Sequence, residues 1–213
     1  MHSKKENMQK LSWNPAALMA PIPPVLVSCG TMEQPNVFTV GWTGIINTRP
    51  PRTYISVRPE RFSYELICKS GEFVLNLPSA DLVRAVDYCG VRSGRKQNKF
   101  QEMGLTPEPA QLVSAPMVAQ CPISIECRVL ERQPQGSHDL FLAEIVRVHV
   151  GEQFVNPKTG ALDIAACNLL AYAHGGYFTL GKQVGSFGFS VQKKKSRKNG
   201  KVYQKNTAKK NLK

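Results

Sequence analysis

Two stretches of alternation constrain this chain most. Ile123–Leu130 (I-S-I-E-C-R-V-L) sets Ile123, Ile125, Cys127 and Val129 on one face, and Leu140–Val150 (L-F-L-A-E-I-V-R-V-H-V) alternates after it, with Leu142 out of phase. A helix repeats its apolar face every 3.6 residues and cannot satisfy a period of two. The two runs are joined by Q-P-Q-G-S-H, so they predict a β-hairpin. Further strands are predicted at Pro24–Thr31, Asn36–Ile46, Arg52–Arg58 and Glu72–Leu77. Glycines at 41 and 44 inside the second suggest a bulge or a close approach of backbone to another group. Short helices are predicted at Arg61–Lys69, closed by Gly71, at Ser79–Tyr88, opened by Ser79, and at Lys96–Met103, before Gly104. Strands do not alternate with long crossover helices, so a doubly wound parallel sheet is excluded. About six strands with short flanking helices make a mainly β protein, and a small closed barrel fits them.

Charge separates the chain into two parts. Of the net +13 over 213 residues, the segment 191–213 supplies nine Lys and one Arg with no acid, while the rest of the chain carries 18 basic and 15 acidic groups. A domain over residues 1–190 is therefore expected, followed by a disordered basic tail at 191–213 that has too few apolar groups to offset its ordering entropy. The tail is either a solvated extension or an arm that contacts nucleic acid or an acidic surface. No apolar run approaches the roughly 18 residues that span a bilayer, and Met1–Lys10 lacks the apolar stretch of a secretory signal. Six cysteines (29, 68, 89, 121, 127 and 167) form no C-x-x-C pair, and the histidines at 2, 138, 149 and 174 show no ligand spacing. Reduced thiols, a cytoplasmic location and no metal site are the expectation.

The common nucleotide and hydrolase motifs are absent: no P-loop, no G-x-G-x-x-G after a strand, no G-x-S-x-G and no H-E-x-x-H. What stands out is anion-binding chemistry. In S-V-R-P-E-R-F-S-Y-E (56–65), a strand bearing Arg58 turns at Pro59 into a helix, placing Arg61, the Phe62 amide and Ser63 at the helix N-terminus. Free amides, the helix dipole and an arginine fork bind phosphate there; the plainer alternative is a surface arginine pair beside a capped helix. C-G-V-R-S-G-R-K-Q-N-K-F (89–100) is a glycine-bearing loop with four basic residues, suited to closing over the same anion or to lying as a charged surface loop. Gly41-Trp42-Thr43-Gly44 lets a flat ring lie on backbone, or packs Trp42 into the core.

Taken together, N-V-F-T-V-G-W-T-G-I-I-N-T-R-P-P, S-V-R-P-E-R-F-S-Y-E-L-I, G-E-F-V-L-N-L-P-S and D-Y-C-G-V-R-S-G-R-K-Q-N-K-F resemble the flavin reductase-like family, nearest its flavoredoxins and related archaeal FMN-binding proteins. The resemblance spans about residues 10–190 and implies an FMN-binding split β-barrel of Greek-key topology. It implies a homodimer and one non-covalent FMN per subunit, with Arg58, Arg61, Phe62, Ser63 and Lys99 at the phosphate. The backbone of Val40, Gly41, Trp42, Thr43 and Gly44 would wall the ring, and Asn47 and Thr48 would make polar contacts. Asn76, Cys89 and Gly90 are further candidates. It also implies an oxidoreductase with no dedicated catalytic acid or base, taking electrons from NAD(P)H or, as a flavoredoxin-type carrier, from a ferredoxin-like or rubredoxin-like protein. Tyr177 and Phe178 either shape the face for the second substrate or pack in the core. Two departures stand out: Asn98 replaces a frequent acid, and Gly136-Ser137-His138 replaces a frequent G-D-H, which leaves His138 either beside a nicotinamide or on an exposed hairpin.

Overall fold

A computed structural model describes residues 8–191 of the chain. One compact unit ends at Leu180 and a second begins at Gly181; of the second, residues 181–191 are described and hold a single 3₁₀ turn at Phe189–Val191. Apart from Val191, the basic tail expected at 191–213 lies outside the described residues.

The described residues of the first unit form eleven strands and three short α-helices: β1 (Val25–Gly30), β2 (Pro35–Val40), β3 (Thr43–Thr48), β4 (Pro51–Val57), α1 (Phe62–Ser70), β5 (Glu72–Leu77), α2 (Val83–Val91), α3 (Lys99–Glu102), β6 (Pro107–Glu108), β7 (Met117–Val118), β8 (Ile123–Pro134), β9 (Asp139–Val150), β10 (Leu170–Ala173) and β11 (Gly176–Thr179). Seven strands form one antiparallel sheet in the order β2-β1-β5-β8-β9-β4-β3. Its two edge strands, β2 and β3, are joined by Gly41 and Trp42 alone. Two intervening residues span only about 10 Å, so the sheet must roll until the end of β2 lies near the start of β3. The Ser56 amide of β4 closes the step by donating to the Trp42 carbonyl at 3.0 Å. The result is a mainly β barrel, split along one seam and flanked by short helices.

The barrel interior holds Val25, Val27, Cys29, Phe38, Ile55, Phe73 and Phe141, with Ile67 of α1 plugging it. The other face of β1 and β2 is buried too: Leu26 and Val37 pack on Ala85, Val86 and Cys89 of α2 and Phe100 of α3. Burial on both faces explains why Val25, Leu26 and Val27 of β1 are consecutive apolar residues instead of alternating with polar ones. Each such side chain contributes about 1.5–3 kcal/mol.

Several expectations change. The strand expected at Asn36–Ile46 is two strands, because the Gly41–Trp42 step crosses the seam. Alternation in β8 fails at two register shifts, between Glu126 and Cys127 and between Val129 and Glu131. Glu126 and Cys127 are consequently both buried. The helix expected from Ser79 starts as a 3₁₀ turn at Ala80–Leu82, and no side chain caps it; Ser79 instead bridges Leu169. The helix expected at Lys96–Met103 shrinks to α3, capped by Asn98, whose side chain accepts from the Gln101 amide. Among the described residues, no helix is long and apolar enough to cross a membrane.

Candidate functional site

The site begins where β4 ends. The turn Arg58–Arg61 closes with the Arg61 amide donating to the Arg58 carbonyl at 3.1 Å, and α1 starts at Phe62 with no side-chain cap. Its first amides have no partner within the helix, and its positive dipole end faces a cavity of about 330 Å³ lined by Arg58, Arg61, Phe62, Ser63, Arg92 and Lys99. The Ser63 oxygen accepts from the Asn36 amide at 2.8 Å, which leaves the hydroxyl proton free to donate.

Lys99 is the most informative group here. It is 4 % exposed, and among the described residues no carboxylate pairs with it. Its ammonium donates to the carbonyls of Cys89 at 3.2 Å and Arg92 at 3.3 Å, while Arg61 donates to the Gly90 carbonyl at 2.9 Å. All three carbonyls belong to the last turn or cap of α2. The negative end of one helix thus seats two cations opposite the positive end of another. Burial pushes the Lys99 ammonium down to about 8, against the partial opposition of Cys89 and Cys29. The lining of the cavity holds four cations and one acid, Glu60, which sits 3.5 Å from Arg58.

The cavity continues into a second compartment of about 220 Å³ that shares Phe38, Arg58 and Arg61 and adds Val40, Gly41, Trp42, Ser56, His138 and Tyr172. The Trp42 and His138 rings lie 4.7 Å apart, tilted by 43°. His138 is held below its ordinary value, first by burial and then by the Arg58 and Arg61 cations, with Glu60 opposing them. Its neighbour Asp139 is fixed by the Tyr64 hydroxyl at 2.5 Å and by Arg132 at 3.7 Å. Beyond Trp42, an apolar compartment of about 400 Å³ is lined by Ala16–Met19, Ile22, Thr43 and Tyr54.

Of the residues singled out in the sequence, the structure brings Val40, Gly41, Trp42, Arg58, Arg61, Phe62, Ser63 and Lys99 along the two joined compartments. Thr43 lines the third, with its hydroxyl committed to the Tyr54 carbonyl. Gly90 takes part through its carbonyl alone. The other candidates lie elsewhere. Gly44 packs against the Tyr54 ring. Asn47 and Thr48 sit exposed at the far end of β3, where the Asn47 amide donates to Pro50. Asn76 is fully buried and saturated: it donates to the Leu26 carbonyl and Ser28 hydroxyl, and it accepts from the Val118 amide and Ser124 hydroxyl. The Cys89 thiol is buried in the core under α2, and burial raises it to about 11. Tyr177 reaches Asp87 at 3.2 Å and packs on Tyr172, and neither it nor Phe178 lines the cleft. The sequence reading did not find Phe38, Ser56 or Tyr172. A phenylalanine in a strand carries no signal of function, and Tyr172 reaches the cleft through the Ile22–Tyr172 bridge, which joins opposite ends of the domain's sequence. Among the described residues, no cluster is fit to hold a metal and all six thiols are free.

The sequence and fold are similar to those of known proteins. The family described as Flavin reductase like domain matches residues 17–181. The flavoredoxin of Desulfovibrio vulgaris (Miyazaki F) superposes with a TM-score of 0.81 at 29% identity, covering 86% of this chain and 100% of that one. The flavoredoxin from Methanosarcina acetivorans does so with 0.79 at 27%, covering 87% and 100%. A protein of Archaeoglobus fulgidus is 33% identical over 127 residues, 60% of this chain and 72% of its own length.

Proposed function

The chain belongs to the flavin reductase-like family, and on that premise we propose that it is an oxidoreductase that binds FMN non-covalently. The carrying observation is the buried Lys99 ammonium, without a carboxylate partner among the described residues, at a cavity that opens onto an aromatic compartment. A buried cation without a counter-charge is costly. A phosphate dianion supplies that charge, and its position at the start of α1 also engages the free amides. Arg61, Ser63, Lys99 and the amides of Phe62 and Ser63 hold the phosphate, with Arg58 and Arg92 at the rim. Backbone from Val40 to Trp42 walls the flat ring, and Tyr172 and His138 close the opposite side.

When bound, the flavin supplies hydride or single-electron transfer between donor and acceptor. The protein's part is to orient the ring, exclude water from it and set the nearby charge. His138 stays neutral at pH 7, because its environment lowers its proton affinity, so it presents a polar ring face and adds no third cation beside Arg58 and Arg61.

The donor is NAD(P)H in the reductase reading. A second reading, a flavoredoxin-type carrier that takes electrons from a protein, is favoured by the similarity to two flavoredoxins at 29% and 27% identity. Ile45 and Ile46 stand exposed on β3, whose outer edge is unpaired among the described residues; a second copy of the chain, giving the homodimer, is the partner proposed to cover them. The test is a visible spectrum of the purified protein before and after anaerobic NADH or NADPH. Flavin bands at about 370 and 450 nm that bleach support the reductase. Bands that persist favour the carrier, and failure to retain added FMN overturns both readings.

A further inference from the structure

The loop of residues 92–98, between α2 and α3, lines the anion cavity through Arg92, Ser93 and Gly94. It has no regular secondary structure, yet it is fastened to α1 from outside the cavity. Arg95 pairs with Glu65, and its guanidinium lies 5.3 Å from the centroid of the Phe62 ring. Gly94 sits so close to its neighbours that a Cβ there would overlap Asn36 Oδ1 and lie 3.1 Å from Phe62 Cδ1. At the loop's other end, Tyr88 donates to Gln97 at 2.8 Å and Asn98 caps α3. The loop therefore has a firm base, and its free flank is held by Gly94 and Arg95. The surface it closes on is rigid, since Ile67 of α1 is sunk in the barrel.

We propose that residues 92–98 form a clasp over the phosphate, and that Arg95, which does not line the cavity, is the positioning residue that keeps the clasp shut and so sets how fast FMN leaves. The proposal rests on the assignment of the cavity to the FMN phosphate. For the phosphate to exit past Arg92–Gly94, the loop must lift, and lifting breaks the Arg95 contacts with Phe62 and Glu65. Closing elements of this kind govern release more than encounter. Arg95 also carries charge, and simple attraction of an anion is the competing explanation. Glu65 separates the two. If Arg95 acts by attraction, removing the Glu65 carboxylate strips negative charge from the neighbourhood and slows release. If Arg95 acts as a clasp, the same change loosens its anchor and speeds release.

The experiment measures FMN association and release by stopped-flow flavin fluorescence on the full chain. An exposed ion pair and a cation–π contact are each worth factors of about two to five. Release from Arg95→Ala is expected to be about five- to tenfold faster, with association within about twofold of wild type. Release from Glu65→Gln is expected to be about two- to threefold faster. Arg95→Lys, which keeps the ion pair and loses the planar stack, falls between wild type and Arg95→Ala. The melting temperature of the FMN-free protein stays within about 2 °C in all three, because the contacts are exposed. Slower release in Glu65→Gln, or unchanged release in Arg95→Ala, overturns the clasp and leaves FMN binding standing. A wild type that binds no FMN overturns the functional reading, and the clasp falls with it.

Discussion

Lys99→Met removes the charge at the floor of the anion cavity while keeping most of the side-chain volume. A charge-assisted hydrogen bond contributes about 1.5–3 kcal/mol, so FMN binding should weaken about 10- to 150-fold at pH 7. The pH dependence is the sharper signature. Lys99 loses its proton at about 8 in the free protein. The arginines stay charged throughout, Cys89 and Cys29 are raised to about 11, and the flavin phosphate is already a dianion above about pH 7. The wild-type dissociation constant should hold steady up to about pH 8 and then rise toward tenfold per pH unit. The variant should be weak and flat over the same range. Stability moves the other way. The folded-state value lies below the ordinary one of 10.5, so between about 8 and 10.5 the unfolded chain binds the proton that the folded chain has lost, and this group makes folding more favourable as pH rises. The full span is about 3 kcal/mol. Raised thiols act oppositely in that window, so the quantity to measure is the difference between wild type and variant, by urea unfolding of the FMN-free protein from pH 7 to 9.5. Flavin binding measured over that range, with flavin fluorescence as the readout, completes the assay. A wild-type dissociation constant that stays flat through pH 9.5, or a variant that keeps the wild-type slope, refutes the assignment of Lys99 to the phosphate.

Asn76→Ala strands the Val118 amide and Ser124 hydroxyl; it should cost about 3 kcal/mol and lower the melting temperature by about 6–12 °C by calorimetry, with FMN affinity near wild type well below the transition. Gly94→Ala pushes the loop off Asn36 and Phe62 and should weaken FMN binding about tenfold or more, as a displacement of about 1 Å at a binding constellation does. Burial alone would raise Glu126, but hydrogen bonds from His149 and from the Gln111 and Leu112 amides outweigh it and hold the carboxyl below its ordinary value. Its contribution is therefore present above about pH 4.3 and lost as pH falls through the folded value; the urea-unfolding gap between wild type and Glu126→Gln should be wide at pH 7 and close toward pH 4. Because the His138 ring lies 4.7 Å from Trp42 and His138 is held below 6.5, indole emission should titrate with a midpoint below 6.5, and His138→Gln should abolish the step.

Much of the molecule was legible before any coordinates. The hairpin of β8 and β9, the helix closed by Gly71 and the cationic turn into α1 are local features, each set by neighbouring positions in the chain. What escaped was non-local or depended on special dihedrals. The β10–β11 hairpin turns on His174 and Gly175, both with positive φ, and a histidine in that region is not a turn signal. The family resemblance offered Asn76 as a ligand contact, and a polar residue in a strand has a second reading as a structural bridge. Only its neighbours across the sheet reveal that every donor and acceptor is already spent on protein groups.

The sequence by itself determined that the chain is mainly β, that its basic charge gathers at the C-terminal end, and that a cationic turn precedes α1. Those properties follow from periodicity, composition and the chemistry of adjacent side chains. The tertiary structure decided the rest. Lys99 and Arg61 are distant in sequence and line one cavity because both are seated on the carbonyl end of α2, beside the amide end of α1. Trp42 faces His138 because β3 and β9 pair with opposite sides of β4, where Ser56 bonds Trp42 and Val57 pairs with Asp139. No local pattern encodes such meetings; they exist only once strand pairing and burial of the core have set distant segments side by side.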